Sequence, residues 1–358
     1  MIYIILGTRG QFIKMFPIMK YFDKYKIKYC FISTSQHYKI NEENRKLLHV
    51  RKPDVYLTVK KNDLRNIGEL LIWAPKVLWN ARKLSIKKTD CVIVHGDTES
   101  TLFAFLIGRY FHAKVIHIES GMRSGTFLEP FPEEIIRSFV DNFSDVRFCP
   151  FKEDAAHFKG KKNTYITNGN TVFDSVNFAL NEKPSMHVRK LMKIKYVVFL
   201  VHRKETLFVR QRIEVIMEIL KKILEKGLKV IWPVHAITKY ELESKGIWQK
   251  VEQFKKKYQL ETDHFFNYVD FMHLLNNCEF AASDGDGVQE ETYFLNKPML
   301  ILRKITDSIP GIGENAVISY FDKIIIENFL DNYKKIKRKT EPNKSPSKII
   351  VDYFRKLS

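Results

Sequence analysis

Short apolar segments typical of buried strands alternate with amphipathic helical segments along the whole chain. The first strand is predicted at Ile2–Leu6 and is followed by a helix from about Gln11 to Tyr25. The alternation begins again in the second half, where the strand Tyr196–Val201 precedes a helix over Val209–Lys226. Strands that alternate with helices favour parallel sheets covered by those helices. We therefore predict an α/β protein with mainly parallel sheets.

Further apolar segments extend both series of strands. In the first half, Val146–Cys149 is expected to be the last strand, although Tyr165–Thr167 also resembles one. In the second half, short strands are predicted at His264–Phe266 and Phe280–Ala282, and Met299–Leu302 is expected to end the series.

Carboxylates follow two successive predicted strands. Asp97 lies just after the strand Cys91–Val94, and Glu119 ends the next strand along the chain. A third carboxylate, Glu133, opens a helix directly after Pro132. Open α/β sheets bind ligands at the carboxyl ends of their strands, so these groups are predicted to perform acid/base chemistry. Asp97 and Glu133 also have a simpler interpretation as helix-capping residues.

Two glycine-containing turns are predicted to approach an anionic ligand. The turn after the first strand carries the cations Arg9 and Lys14. The Ser-Asp-Gly-Asp-Gly loop at 283–287 precedes a helix, so its amides would meet an anion, and Glu290 or Glu291 would reach ribose hydroxyls. Both segments also fit ordinary turns between a strand and a helix.

Length and composition indicate a two-domain cytoplasmic protein. A chain of 358 residues is long for a single core. Its apolar segments are too short to span a bilayer, and its N-terminus is typical of a strand and not of a secretion signal. The four cysteines lack metal-binding spacing and fit a reducing compartment. We therefore predict a cytoplasmic location and no bound metal.

The formal net charge of +19 admits a nucleic-acid binder, an enzyme beside an anionic membrane or polymer, or a merely lysine-rich composition. The lysines are spread over many predicted helices without interleaved aromatic residues. We therefore expect solvated faces with some attraction to anions, peripheral association with an anionic membrane, and no nucleic-acid partner.

Ordered segments covering nearly the whole chain from Gly7 to Arg303 resemble the non-hydrolysing UDP-N-acetylglucosamine 2-epimerase family. The matching segments are GTRGQFIKM, SQHYK, HGDTEST, HIESGMRSG, PFPEEIIR, TNGNTVFDS, HRKE, PVH, SDGDGVQEE and KPMLILR. The resemblance implies a GT-B fold, with two Rossmann-like domains whose parallel sheets face a central cleft. It implies a catalytic domain at 1–168, a UDP-binding domain at 169–342, and a C-terminal helix in 343–358 that crosses back to the first domain.

The family inverts C2 of a UDP-N-acetylhexosamine without NAD, metal or another cofactor. It eliminates UDP to give a glycal and adds UDP back after C2 is reprotonated. By resemblance, the catalytic residues are Asp97, Glu119, Glu133 and His202. The implied substrate contacts are Arg9, Lys14, Arg203, His235, Phe271 at the uracil, Gly285, Gly287, and Glu291 at the ribose. We also expect a homodimer that supplies precursors for a capsule, lipopolysaccharide or other surface glycan.

The chain departs from the family pattern at several positions. Gln11 replaces the usual Glu, as in relatives that act on UDP-2,3-diacetamido-2,3-dideoxy-glucuronate. Asp286 places a carboxylate near the expected diphosphate, so it is predicted either to turn outward or to be compensated by cations such as Arg203. His235 is followed by Ala236 in place of Asn-Pro, so the activator site of many bacterial relatives is not expected here.

Two alternatives to an epimerase remain open from the sequence. A GT-B glycosyltransferase would share the UDP site and a basic surface, and the altered 283–287 loop favours it. Retention of Asp97, Glu119 and Glu133 together favours the epimerase, since a transferase needs one base. The third alternative is a nucleic-acid-binding protein without enzymatic activity.

Overall fold

A computed structural model describes residues 1–58, 63, 67–123, 132–262, 266–306, 308–339 and 344–356 of the chain. It divides into two compact units. The first comprises Met1–Phe178 with Asn343–Ser358, and the second comprises Ala179–Pro342.

Within the described residues, the first unit contains a seven-stranded parallel sheet. Its strands are β1 (Ile2–Leu6), β2 (Tyr29–Ser33), β3 (Val55–Tyr56), β4 (Cys91–His95), β5 (Lys114–Ile118), β6 (Val146–Cys149) and β7 (Thr164–Ile166). They are arranged in the order β3-β2-β1-β4-β5-β6-β7. The prediction that β6 ends this series was wrong, because β7 pairs with it and forms the edge of the sheet.

The helices of the first unit up to the division are α1 (Arg9–Lys24), α2 (Tyr38–Leu47), α3 (Ile67–Ala81), α4 (Glu99–Tyr110), α5 (Glu133–Phe143), α6 (Lys152–Ala156) and α7 (Val172–Asn181). The chain divides within α7. The physical reason is the packing of α7 against α1. The Ser175 hydroxyl donates to the carbonyl of Ile13 at 2.6 Å, and the ring of Phe178 packs edge-on against Phe16.

Within the described residues, the second unit contains a six-stranded parallel sheet in the order β10-β9-β8-β11-β12-β13. The strands are β8 (Tyr196–Leu200), β9 (Lys229–Ile231), β10 (Leu260–Glu261), β11 (Ala281–Ser283), β12 (Met299–Ile301) and β13 (Ala316–Ile318). Met299–Leu302 was predicted to end the series, but β13 pairs with β12 beyond it. Most of the strand predicted at His264–Phe266 lies outside the described residues.

The helices of the second unit are α8 (Met186–Leu191), α9 (Lys204–Leu207), α10 (Arg210–Glu225), α11 (Ala236–Ser244), α12 (Trp248–Lys257), α13 (Tyr268–Asn277), α14 (Asp286–Phe294) and α15 (Lys323–Asn332). A short 3-10 turn at Tyr333–Lys335 follows α15. The last helix of the chain, α16 (Pro346–Arg355), packs within the first unit. Its Phe354 ring meets Phe22 of α1 edge-on at 5.3 Å between centroids.

Each unit is held together by its own apolar core. In the first unit, Val92 and Val94 of β4 pack with Trp73 of α3. In the second, Phe199 of β8 and Trp232 belong to the core that also holds α10. Burying a large apolar side chain contributes about 1.5–3 kcal/mol, so these sheets are rigid platforms for the loops at their edges.

Candidate active site

The sheet of the first unit brings two predicted catalytic residues to one edge. Strands β4 and β5 are parallel neighbours, with His95 opposite Ile118, and the Gly96 amide donates to the carbonyl of Ile118 at 3.0 Å. Asp97 and Glu119 directly follow these strand ends. Because both strands run in the same direction, the two carboxylates leave the sheet at its carboxyl edge, where α/β sheets bind ligands.

Glu119 lies between two cationic or potentially cationic side chains. Its Oε1 is 2.8 Å from the Lys14 ammonium of α1, and its Oε2 is 3.1 Å from Nε2 of His95. Burial alone would raise the pKa of this carboxyl group, but Lys14 and then His95 outweigh it and hold the pKa well below its usual range. Glu119 also adopts a φ of 67°, which is uncommon for a residue other than glycine.

Asp97 pairs with a guanidinium that sequence reasoning missed. Its carboxylate accepts from Arg137 of α5, and Arg137 also lies 3.1 Å from the carboxylate of Glu134. Burial would lower the pKa of Arg137, but Asp97 and Glu134 more than compensate and raise it. Asp97 is therefore paired with a permanent positive charge.

The two glutamates that open α5 have different environments. Glu134 is buried, and its carboxylate faces Arg137 and, at 3.8 Å, Arg123. Glu133, the residue predicted to be catalytic, is half-buried at the first position of the helix. The segment before Pro132 lies outside the described residues. Glu134 thus belongs to an ion-pair network, and the catalytic role of Glu133 stays a prediction.

The turn after β1 is fastened by Gln11. Its Oε1 accepts from the amides of Gly7 and Thr8 at 2.9 and 3.1 Å, and its Nε2 donates to the His95 carbonyl and the Thr101 hydroxyl at 2.9 Å each. These contacts use the whole hydrogen-bonding capacity of the amide. Gln11 therefore ties the turn that carries Arg9 and Lys14 to the end of β4, and this departure from the family pattern has a structural role.

A further buried carboxylate lies near the Glu119 turn. Asp154 accepts from the amide of Phe151 at 2.9 Å, and its backbone carbonyl lies where a side chain at Gly121 would have to go. Burial, reinforced by the nearby Glu119 and Glu153 charges, raises the pKa of Asp154 to about 6. Apart from its place at the start of a short helix, nothing in the sequence pattern indicates this buried carboxylate.

In the second unit, Asp284 organises the predicted histidine motif. Its buried carboxylate accepts from the backbone amides of His202 and Arg203 at 3.1 and 3.0 Å and lies 3.4 Å from Nδ1 of His202. The His202 ring is partly exposed and lies 5.3 Å from the ring of His235 between centroids. A methyl group at Gly285 would come within 2.7 Å of the His202 ring, so glycine is needed there for space.

The predicted phosphate loop makes several contacts within the second unit. The amide of Gly285, predicted to meet an anion, donates to the Ser283 hydroxyl at 3.1 Å within the loop. Asp286, the first residue of α14, is compensated by cations as one of the two predicted arrangements required. Its carboxylate contacts Arg203, accepts from Arg303 at 2.5 Å and accepts from the Thr306 hydroxyl at 3.2 Å.

The remaining predicted contacts lie on two helices of the second unit. Phe271 is on α13 and Glu291 on α14, and both side chains are largely buried. Gly287 lies in the first turn of α14, where an added Cβ would meet nothing within 4 Å. Their assignment to uracil, ribose and phosphate stays a prediction.

The described residues include no cluster of three or more His, Cys, Asp or Glu side chains placed to hold a metal ion. No helix in the described part of the chain is both long and apolar enough to cross a bilayer.

The chain is similar in sequence to known proteins over most of its length. The family model described as UDP-N-acetylglucosamine 2-epimerase matches residues 20–348. A UDP-N-acetylglucosamine 2-epimerase homolog of Methanococcus maripaludis is 30% identical over 336 residues, covering 90% of each chain. The UDP-2,3-diacetamido-2,3-dideoxy-D-glucuronate 2-epimerase of Pseudomonas aeruginosa is 27% identical, again over 90% of each chain.

A solved structure extends the similarity to the fold. The crystal structure of Methanocaldococcus jannaschii UDP-GlcNAc 2-epimerase, in complex with UDP-GlcNAc and UDP, matches with a TM-score of 0.81 and 27% identity over 99% of each chain. The predicted α/β class with a GT-B fold is thereby confirmed, and the glycosyltransferase alternative gains no support. The chain belongs to the UDP-N-acetylglucosamine 2-epimerase family, whose members are isomerases.

Proposed function

We propose that the protein converts UDP-N-acetylglucosamine into UDP-N-acetylmannosamine by eliminating UDP and adding it back. The observation that carries this proposal is the pair of carboxylates at neighbouring strand ends. Asp97 is held by Arg137, and Glu119 is held by Lys14 and His95. Two carboxylates in different charged environments suit a reaction that removes a proton and later returns one.

The elimination step needs an electron sink, because C2–H is not adjacent to a carbonyl group. A carboxylate takes the C2 proton while the bond between C1 and the diphosphate oxygen breaks, and the electron pair of the C–H bond forms the C1–C2 double bond of a glycal. The departing UDP carries the negative charge. In this proposal Arg9, Lys14 and His202 stabilise that charge as it develops.

Re-addition completes the epimerisation. A protonated carboxyl group delivers a proton to C2 on the opposite face of the glycal, and a diphosphate oxygen of UDP forms the new bond to C1. Asp97, Glu119 and Glu133 are the proposed acid/base groups. The second unit is proposed to bind the nucleotide through Arg203, Phe271, Gly287, Glu291 and His235, and the reaction consumes no cofactor.

Isotope exchange tests this function directly. The protein is incubated with UDP-N-acetylglucosamine in deuterated water, and the sugar nucleotides are analysed by NMR and mass spectrometry. We expect a 2-epimer that carries deuterium at C2. A glycosyltransferase would leave the C2 hydrogen in place, so an absence of exchange together with sugar transfer to an acceptor would overturn the proposal.

The proposed assembly is a homodimer formed through the first unit. Helices α3 and α4 pack together, as do α4 and α5, and they expose large apolar side chains that we propose form one apolar face, including Leu71, Ile72 and Trp79 of α3, Tyr110 of α4 and Phe143 of α5. Homodimer interfaces are enriched in such aromatic and aliphatic residues. A second copy of this chain is the proposed occupant, because self-association covers this apolar face in every molecule.

Sedimentation tests the dimer. The parent is expected to sediment as a dimer and the Trp79→Glu variant as a monomer. Tyr240 is an exposed aromatic residue of α11 in the second unit, and the Tyr240→Glu variant should remain a dimer. A parent that sediments as a monomer would contradict the homodimer.

The proposed setting is the cytoplasm, in the synthesis of surface polysaccharide precursors. The net charge of +19 supports weak attraction to an anionic membrane. Flotation with anionic vesicles at low and physiological salt tests that association. If the protein binds the anionic vesicles at neither salt concentration, membrane association is removed from the proposal.

A further inference from the structure

Asp141 lies beneath the turn that carries Glu119. Its fully buried carboxylate accepts from the Ser120 hydroxyl at 2.5 Å, from the Gly121 amide at 3.1 Å and from the Arg123 guanidinium at 2.6 Å. All these donors follow Glu119 within a few residues of the chain. One side chain of α5 therefore holds the whole turn that leaves β5.

His117 connects Asp141 to the other catalytic strand. Its ring is fully buried on β5, with Nδ1 2.8 Å from Asp141 Oδ1 and Nε2 2.8 Å from the carbonyl of Gly96. Gly96 directly precedes Asp97. The His117 imidazole thus connects Asp141, which holds the Glu119 turn, to the backbone just before Asp97.

Ion pairs close these contacts into a ring. Arg123 reaches Glu134 at 3.8 Å, Glu134 lies 3.1 Å from Arg137, and Arg137 contacts Asp97. We call this set the buried charge ring, and its members are Asp97, Arg137, Glu134, Arg123, Asp141 and His117. Acidic and basic side chains alternate from Asp97 to Asp141, and His117 links Asp141 back to Asp97 through the carbonyl of Gly96.

The environment keeps Asp141 ionised. Burial would raise its pKa, but His117, Ser120 and Arg123 outweigh burial and hold the pKa at about 2. The carboxylate can therefore accept all of these hydrogen bonds at any pH at which the protein works.

The turn needs such an anchor because its geometry is strained. Glu119 has a φ of 67°, a conformation that residues other than glycine keep only when the surroundings enforce it. The bonds to Ser120 and Gly121 lie immediately after this residue and supply that restraint. Without them, the Glu119 side chain would lose its fixed direction between Lys14 and His95.

We propose that Asp141 is a positioning residue for the reaction: through the buried charge ring it fixes both the Glu119 turn and Asp97 in their reactive orientations. The proposal rests on the epimerase function proposed above. Small misplacements of reacting groups cost large factors in rate, while ground-state binding of UDP uses other residues. A positioning residue should therefore affect kcat and leave nucleotide affinity unchanged.

The test compares Asp141→Asn with Asp90→Asn. Asp90 is also a buried carboxylate of the first unit, but it accepts from the Lys87 amide at 2.8 Å before β4, away from the Glu119 turn. We expect Asp141→Asn to lower kcat about 10–100-fold, with KM and the calorimetric Kd for UDP unchanged. Asp90→Asn should lose thermal stability and keep the parent's kcat, measured well below its Tm.

If Asp141→Asn does not fold, a milder variant tests the positioning role of Asp141. Ser120→Ala removes one hydrogen bond to Asp141 and is expected to lower kcat several-fold, with deuterium incorporation at C2 slowed equally. Parent-like kcat in a folded Asp141→Asn or, failing that, in Ser120→Ala would overturn the positioning role. A parent that exchanges no deuterium would instead overturn the epimerase proposal, so the two failures are distinguishable.

Discussion

The Lys14 ammonium lies 2.8 Å from a carboxylate oxygen of Glu119, a residue 105 positions later in the chain. Both side chains are mostly buried, and Lys14 is the main influence that opposes the effect of burial on the pKa of Glu119. The pair therefore joins helix α1 to the residue that follows β5 and keeps Glu119 ionised.

Lys14→Met should lower stability in a pH-dependent manner. The lowered pKa of Glu119 contributes stability that is present above its ordinary value of 4.5 and is lost as the pH falls toward the folded value. Removing one partner of a buried pair costs about 3 kcal/mol, so we expect that loss at pH 7 and a smaller one at pH 3. Urea unfolding at both pH values measures it. Lys20→Met on the same helix is the control, and an equal loss at both pH values would contradict the prediction.

Asp97→Asn, Glu119→Gln and Glu133→Gln should each lower kcat about 100-fold or more, the usual scale for acid/base groups. The rate of deuterium incorporation at C2 is the measurement. Glu153→Gln, an exposed carboxylate in the first turn of α6, should behave as the parent does. Near-normal exchange in a folded variant would remove that residue from the chemistry.

Gly285→Ala should impair the reaction by displacing His202. The backbone φ of −93° suits alanine, but the new methyl group would lie 2.7 Å from the His202 ring. We expect kcat to fall about 10-fold or more, approaching the effect of His202→Ala. Gly10→Ala, where an added Cβ meets nothing within 4 Å, is the steric control. If Gly285→Ala kept full activity, the position of the His202 ring would be unimportant for turnover.

Asp286→Asn should bind UDP several-fold more tightly than the parent. The Asp286 carboxylate occupies Arg203 and Arg303, and its negative charge opposes a diphosphate nearby. Calorimetric titration of UDP gives both Kd values. Asp322→Asn, at the start of α15 in the same unit, controls for charge loss at a helix start. Weaker binding would mean that Asp286 orders the two arginines for the ligand.

Asp154→Asn should stabilise the protein above pH 6. The raised pKa of about 6 means that the folded state binds a proton more tightly than the unfolded state, whose ordinary value is 3.8. The stability of the parent therefore falls by about 3 kcal/mol as the pH rises from about 4 to above 6. Asparagine does not titrate, so the variant does not lose this stability. Thermal unfolding from pH 4 to 8 tests this. A difference in Tm between parent and variant that stays constant across that pH range would show that burial does not raise the pKa of Asp154.

Much of the fold was predictable because its determinants are local. The alternation of apolar strands with amphipathic helices is set by neighbouring residues, and it predicted β1 and β6 at their observed bounds. The common edge of Asp97 and Glu119 also followed, since consecutive parallel strands joined by a helix are usually neighbours in the sheet. Strand β13 was missed because it follows a long irregular segment without a preceding helix.

The partners of the site residues were decided only by the tertiary structure. Residues such as Arg123, Arg137 and His117 lie within recognisable motifs, but no spacing in the sequence indicates that Asp141 binds the turn after Glu119. Likewise, the sequence identified Asp286 as anomalous, and only the fold supplied Arg303 beside it. The sequence by itself determined which segments form strands and which residue types reach the sheet edge, because those depend on local periodicity. Tertiary structure determined the charge of each carboxylate's surroundings, because burial and ion pairs depend on side chains that are distant in sequence and meet only in the folded chain.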